Sequence, residues 1–221
     1  MTHGIKGATG VGRTKWWLLG ALQLICVATA GATTDDDYRR GFQAYQSGDV
    51  VTAMSLLRAP AGAGHAAAQS LLAFILDRAD LVEDAVRWYR AAAAQDDPEA
   101  HAALANFYLT GRGIAKDEKQ ALQHFSKAAE LGHASAIDVV AEGYLKGQLG
   151  LTQATRDNAA AVVALRRAAE RGHLPSVQAL AAAYRDGGFG LTPDTTQAAR
   201  WQAVDAELRA ARGSAAKKAR P

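Results

Sequence analysis

Six histidines are the side chains of this sequence best suited to hold a metal ion or to move a proton. Three of them, His65, His133 and His173, each follow a glycine in a similar sequence context. A zinc site needs three or four ligands that converge on one ion, whereas side chains at equivalent positions of successive repeats are stacked apart. The sequence also has no H-E-x-x-H pair. We therefore predict no metal site and assign these histidines to the N-terminal turns of helices.

Two further histidines, His101 and His124, stand within helical patterns and have no carboxylate beside them at ligand spacing. We predict that both are structural.

The segment TGRGIAKD, residues 110–117, contains a G-x-G element of the kind that can bind phosphate. A dinucleotide-binding fingerprint requires a preceding strand and a third glycine, and here a helical pattern precedes the element. No G-x-S-x-G element supports a serine nucleophile. Trp88, Tyr89 and Trp201 fall at expected core positions rather than on a base-stacking platform. We predict no catalytic residue, no cofactor and no nucleic-acid partner.

A sequence repeat organises these residues. Gly64-His65, Asp96-Asp97, Gly132-His133 and Gly172-His173 mark the starts of four units. Eight positions after each start stands an apolar residue followed by an alanine, and twelve positions after it stands a leucine or a tyrosine. Residues four apart lie on one face of a helix. The pattern therefore predicts a first helix in each unit whose buried residues are Leu72, Leu76, Leu104, Tyr108, Val140, Tyr144, Leu180 and Tyr184.

A glycine-rich or polar turn and a second helical pattern follow each first helix. The second pattern carries an alanine and, three residues later, a bulky side chain: Leu56, Trp88, His124 or Trp201. In one unit the later position is Ala164, and the adjacent Leu165 supplies the bulk. Residues 38–59 fit the same plan. The sequence thus predicts five helix hairpins, of which the outer two are divergent, as expected of capping repeats.

The clearest unit, AHAALANFYLTGRGIAKDEKQALQHFSKAAELGH (residues 100–133), resembles the Sel1-like repeat, a relative of the tetratricopeptide repeat. The resemblance covers nearly all of residues 38–208 and implies an all-α fold, a right-handed α-solenoid of about five stacked helix-turn-helix repeats. We assign residues 33–208 to this solenoid. Secreted cysteine-rich members of the family carry a cysteine pair in each repeat, which this sequence lacks. Their disulfide scaffold and proposed penicillin hydrolysis are therefore not carried over.

The N-terminus has the order of a secretory signal peptide. Three basic residues precede the apolar run WWLLGALQLICVA (residues 16–28), and small residues follow it. The run is shorter than the roughly 20 apolar residues of a membrane-spanning helix. We predict that residues 1–32 are a signal peptide, cleaved after Ala30 or Ala32, and that the protein is secreted to the periplasm. Cleavage would also remove Cys26, the single cysteine.

Charge does not indicate nucleic-acid binding once the leader is set aside. The sequence has 25 Lys and Arg residues, of which three lie in the leader, and 22 Asp and Glu residues, of which the leader has none. The remaining chain is therefore balanced, at 22 basic and 22 acidic residues. Basic residues are concentrated near the C-terminus, and we predict that residues 209–221 form a disordered basic tail.

In the family, first helices line the concave side of the solenoid. The groove positions implied by the resemblance are Ser70, Phe74, Ala102, Asn106, Asp138, Glu142, Gln178 and Ala182. An aromatic residue such as Phe74 is a typical anchor for a bound partner. Asp138 and Glu142 are four residues apart on one helix face and would attract a basic peptide.

Together these features predict a non-enzymatic scaffold or adaptor of the bacterial cell envelope that binds a protein or peptide in its concave groove. Two alternatives remain. If the leader is not cleaved, the protein is a membrane-anchored regulator that contacts the membrane only through that leader. A hydrolase of cell-wall or β-lactam substrates would need a nucleophile and a base in convergent positions, and the sequence shows neither.

Overall fold

A computed structural model describes residues 34–152, 155 and 158–218 of the 221-residue chain. Every regular element within these residues is an α-helix. The predicted signal peptide, residues 1–32, lies outside them.

The described residues contain ten helices that form five hairpins. They are α1 (34–46), α2 (Val50–Gly62), α3 (Ala66–Arg78), α4 (Val82–Ala93), α5 (Pro98–Thr110), α6 (Glu118–Glu130), α7 (Ala134–Lys146), α8 (Ala159–Glu170), α9 (Leu174–Asp186) and α10 (Thr195–Lys218). From α2 onward, each second helix packs on the first helix of the next hairpin, and within hairpins two to five each second helix also packs on its own first helix. The predicted solenoid of five stacked hairpins is confirmed.

Polar side chains start the first helices. His65 and His133 accept hydrogen bonds through Nδ1 from the backbone N–H groups three residues further on, each at 3.1 Å. Asp97 caps α5 in the same way. At the start of α9, His173 Nδ1 instead lies 2.7 Å from the hydroxyl of Ser176. All three histidines lie in N-terminal turns, as predicted. At His65 and His133 the imidazole accepts a backbone N–H that would otherwise be unpaired at the start of the helix.

Small and branched residues form the core at most of the predicted positions; Tyr108, which the sequence also predicts to be buried, is half-buried. The alanines that follow the eight-offset residues are all buried: Ala73, Ala105, Ala141 and Ala181. Leu72, Leu104, Val140 and Leu180 are buried beside them. The buried residues form two clusters, one around the first three hairpins and one around the last three, and α5 contributes to both. A methyl group at the contact lets neighbouring helices approach closely.

The C-terminal segment includes most of the predicted disordered tail, residues 209–221. Residues 209–218 continue α10, which ends at Lys218. Alanine, arginine and lysine dominate this segment, and all three favour helix. Arg209 also pairs with Asp205 at 2.8 Å, and Arg212 donates to the carbonyl of Gly172 at 3.2 Å. No helix in the described residues, α10 included, combines the length and the apolar composition needed to span a bilayer.

Candidate functional site: a groove on the first helices

Two adjoining cavities lie along the first helices of hairpins one to three. The larger, of about 620 Å³, is lined by residues of α3, α4, α5 and the start of α7. The smaller, of about 330 Å³, lies mainly between α1 and α3. Phe74 and Glu99 line both cavities. We call the two cavities together the N-terminal groove; its principal residues are Tyr38, Phe42, Tyr45, Phe74, Glu99 and Asn106.

Aromatic rings form one wall of the groove. Phe74 is half-buried, and its ring meets that of Tyr45 edge to face at 6.0 Å. Tyr38 stacks on Phe42 at 6.1 Å and on His65 at 4.7 Å. Phe42 remains 38% exposed. The contribution of α1 was missed from the sequence, although its three aromatic residues have the spacing of one helix face.

Hydrogen bonds between consecutive first helices run along the same surface. Because Nδ1 of His65 accepts a backbone N–H, its Nε2 carries the proton and donates to Asp35 of α1 at 3.3 Å. His133 donates in the same way to Glu99 of α5 at 3.2 Å. His173 Nε2 lies 3.3 Å from Glu142 of α7. The histidines are thus spread one per junction and do not converge on a common point.

The junction between hairpins two and three uses a different pair. There Asp97 occupies the histidine position, and the buried hydroxyl of Ser70 donates to its Oδ1 at 2.6 Å. At the other end of the larger cavity, Arg112 forms ion pairs with Asp77 and Asp80. These contacts connect α3 with both ends of α5 and so hold together the helices that border the groove.

Carboxylates give the groove a negative field. Burial raises the pKa of the Tyr38 hydroxyl, and the neighbouring charges of Asp97 and Asp35 raise it further. Burial also raises the pKa of Tyr89, with a contribution from Asp77. Both phenols therefore stay protonated and can donate hydrogen bonds.

Three of the six predicted partner-binding residues lie together in the groove. Phe74 joins the two cavities, Ser70 lines the smaller and Asn106 lines the larger. The Asn106 side chain is exposed, and its amide donates to the carbonyl of Ala102, which lines the same cavity. Asn106 is therefore the most accessible polar group of the three.

The other three predicted residues lie further along the solenoid. Asp138 and Glu142 are one turn apart on α7 and line neither cavity of the groove. Glu142 is paired with Lys146 and His173, and the hydrogen bond from Lys146 is the main cause that lowers its pKa. Gln178 is exposed on α9 and donates to Asp205 of α10 at 3.0 Å. Ala182, one turn from Gln178, is half-buried.

Asp138 is the part of the predicted acidic patch that is free to bind. It makes no hydrogen bond or ion pair with another described residue. The predicted acidic patch therefore offers one unpaired carboxylate, that of Asp138, and not two.

One close pair of titratable groups lies outside the groove. Nδ1 of His101 is 3.0 Å from Nδ1 of His124, and the His124 ring stacks on Tyr108. Burial lowers the pKa of both imidazoles. Sequence alone did not reveal this contact. Within the part of the chain that the structure describes, no group of three or more His, Cys, Asp and Glu side chains is placed to hold a metal ion.

Known proteins share this repeat and this fold. A crystal structure of a Sel1 repeat protein from Oxalobacter formigenes is 29% identical, with a TM-score of 0.63 over 77% of this chain and 70% of that chain. A protective antigen of uropathogenic Escherichia coli that displays an SLR fold is 26% identical, also with a TM-score of 0.63, over 85% of this chain and 41% of that one.

An uncharacterized protein of Neisseria meningitidis serogroup B is 43% identical over 82 residues, which are 37% of this chain. The match spans 17% of that protein's length.

The family model of the Sel1 repeat matches residues 66–97, 98–133, 135–173 and 176–201, together more than half of the chain. These matches coincide with hairpins two to five and leave out α1 and α2. Sel1 repeat proteins generally act as protein–protein interaction scaffolds and are typically not enzymes. The chain belongs to the Sel1 repeat family.

Proposed function

We propose that this protein is a non-enzymatic scaffold or adaptor of the bacterial cell envelope that binds a segment of another protein in the N-terminal groove. The observation that carries the proposal is the position of Phe74 at the meeting point of two cavities of about 620 and 330 Å³. An aromatic side chain at the centre of a preformed depression is a typical energetic anchor of an interface.

The chemistry of the groove specifies the kind of segment that it would bind. Tyr38, Phe42, Tyr45 and Phe74 offer apolar surface to an aliphatic or aromatic side chain. Glu99 borders both cavities and its side chain is largely exposed, so it can pair with a lysine or an arginine. The favoured partner is therefore an extended segment in which an apolar residue stands beside a basic one.

The envelope location follows from the leader. Its basic, apolar and small-residue regions support export and removal. Intact mass of the protein purified from its native host distinguishes the two cases. A mature chain that starts at Gly31 or Thr33 supports the secreted scaffold, whereas an intact N-terminus supports the membrane-anchored regulator.

The hydrolase alternative gains no support from the groove. Ser135 lines the larger cavity together with His133. Both nitrogens of that imidazole are already engaged, one with a backbone N–H and one with Glu99. The ring therefore has no free nitrogen to take a proton from the serine hydroxyl, as a general base must.

Removal of the Phe74 ring tests the proposal. Phe74→Ala should weaken capture of the envelope partner by about tenfold or more, because truncation of an anchor costs at least about 1.4 kcal/mol of binding free energy. The measurement is affinity capture from an envelope fraction with the tagged full-length protein, followed by titration of the purified partner. Val51→Ala is the matched control, since Val51 is an exposed apolar residue outside the groove.

Asp138→Lys defines how far the binding surface extends. Asp138 lies outside the two cavities, so a partner confined to the N-terminal groove should bind this variant as it binds the wild type. Weaker capture would extend the binding surface onto α7. Full capture by Phe74→Ala would contradict the proposal, because the anchor would then contribute nothing.

A further inference from the structure

A third cavity opens on the side of the second helices, between α6, α7 and α8. Its volume is about 320 Å³. Ile137, Val140 and Tyr144 of α7 line it together with Ala129 of α6 and Ala164 of α8. We call it the second-helix pocket. It shares no lining residue with the N-terminal groove.

The equivalent place one hairpin later explains why this pocket is open. There Ala169 of α8 corresponds to Ala129, and Trp201 of α10 corresponds to Ala164. The equivalence holds because Trp201 and Ala164 each come three residues after a buried alanine of a second helix. The indole of Trp201 is only 8% exposed. A cavity of about 310 Å³ remains there, but Trp201 and residues of α8 and α10 line it and no residue of α9 does, whereas three residues of α7 line the second-helix pocket. The other second helices also carry a bulky residue here, so α8 alone lacks one among the described hairpins.

The side chains around Ala164 do not fill the space. Leu165, which supplies the bulk of α8, is fully buried and belongs to the core rather than to the pocket lining. Val163 lines the pocket and is 50% exposed. The result is an apolar depression where the solenoid elsewhere places a tryptophan ring.

Two charged groups line the pocket and are free to take part in binding. Arg167 is half-buried and Glu130 is exposed. Neither makes a hydrogen bond or an ion pair with another described residue. A guanidinium group favours a carboxylate partner, and a carboxylate can accept the N–H of an indole.

We propose that the second-helix pocket binds an aromatic side chain, an indole by preference, that a partner protein presents next to an acidic residue. The ring takes the place that Trp201 occupies one hairpin later, and the acidic neighbour pairs with Arg167. This site is separate from the N-terminal groove and would let the protein hold a second partner.

A second copy of this chain is a poor source of the ring. Trp88 is half-buried and packs against the core, and Trp201 is buried. The described residues therefore offer no free indole for a neighbouring molecule, which favours a partner of different sequence.

The direct test is titration of the full-length protein with a capped Gly-Trp-Asp-Gly peptide, followed by amide chemical shifts. We expect saturable shifts at the amides of Val140, Val163 and Ala164, with a dissociation constant of about 1 mM or tighter. The same peptide with alanine for tryptophan should cause no shifts there. Asparagine for aspartate should weaken binding about threefold or more, and Arg167→Gln should have a similar effect with the original peptide.

Ala164→Trp provides the blocking variant. Because a tryptophan already fits the equivalent place in α10, this variant should fold, keep or raise its melting temperature, and lose peptide binding. Ala206→Trp is the matched control, since Ala206 is an exposed residue of α10 outside the pocket; it should bind the peptide as the wild type does. Phe74→Ala should also bind normally, which keeps this test independent of the groove.

Several results would overturn the proposal. Equal binding by Ala164→Trp would place the peptide elsewhere. Binding of free indole without binding of the peptide would assign the pocket to a small molecule. A dimer that Ala164→Trp dissociates would assign it to a second copy of the chain.

Discussion

At the scale of single residues, the histidines within the helical repeats fall into two groups with different structural roles. His65, His133 and His173 join the first helices of consecutive hairpins. His101 and His124 face each other within one hairpin, where His101 is 9% exposed. Two imidazoles that share one hydrogen bond through Nδ1 need one ring to donate and the other to accept, so the two rings cannot both be protonated cations.

This pair should make folding stability depend on pH. Burial lowers the pKa of both rings; His101 and Arg90 lower that of His124 further, whereas Asp96 opposes the shift at His101 and Lys127 adds to it. The unfolded chain therefore takes up protons below about pH 6.5, before the folded protein does. The free energy of unfolding should be highest above that pH and fall on acidification.

Urea unfolding at pH 7.5 and pH 5.5 measures this effect. The double variant His101→Gln/His124→Gln should lose less stability between the two pH values than the wild type, whatever its stability at pH 7.5. His124→Gln alone is the second variant and removes one titrating ring. An unchanged pH dependence in both variants would contradict the assignment.

Sequence spacing was enough to place most of the buried residues of the first helices, but it did not predict which side chains contact each other. The eight-offset leucines and valine and their following alanines are buried because helix periodicity alone decides which face they occupy. The contact between His101 and His124 depends instead on how two helices pack across a hairpin. Likewise, the rings of α1 reach Phe74 only because hairpins one and two stack. Such contacts have no local signal in the sequence.

At the scale of elements, the turns inside the hairpins also stack on one another. Arg112, in the turn between α5 and α6, holds Asp77 and Asp80 at the turn of the preceding hairpin. Gly113 of the same turn has φ of +70° and lies against Val82, so that a Cβ there would be 2.3 Å from Val82 Cγ1. This glycine is required both by the backbone and by the neighbouring hairpin.

Gly113→Ala should therefore lower the free energy of unfolding by more than a glycine-to-alanine change at another residue with positive φ. Gly64→Ala is the matched control, because Gly64 has φ of +92° and nothing within 4 Å of the added Cβ. We expect Gly64→Ala to lower the free energy of unfolding by about 1–2 kcal/mol, and Gly113→Ala by about 1–3 kcal/mol more because of overpacking. Urea denaturation of both variants measures the difference. Equal losses would mean that the turn does not press on α4.

The last helix extends into the segment for which the sequence predicts a disordered basic tail. The concentration of basic residues from Arg209 onward suggested a solvated tail. The helix continues because its alanines favour helix, because Arg209 pairs with Asp205 one turn earlier in the same helix, and because Arg212 donates to the carbonyl of Gly172. Charge density alone does not separate a disordered tail from an exposed helix.

At the scale of the whole molecule, the repeats create two kinds of surface. The first helices carry the N-terminal groove, whose rings and carboxylates suit an apolar residue next to a basic one. The second helices carry the second-helix pocket, which suits an aromatic residue next to an acidic one. The two sites differ in the charge that they select, so one molecule could hold two partners without competition between them.

Site-specific photo-crosslinking within intact cells tests the scaffold proposal most directly. A photoreactive phenylalanine analogue at Asn106, an exposed residue of the larger cavity, should yield a defined adduct with one envelope protein. The same analogue at Arg87, an exposed residue of the second helix α4, should yield none with that protein. An adduct from Arg87 and none from Asn106 would show that the partner binds the second helices, and the groove would then not be the binding site.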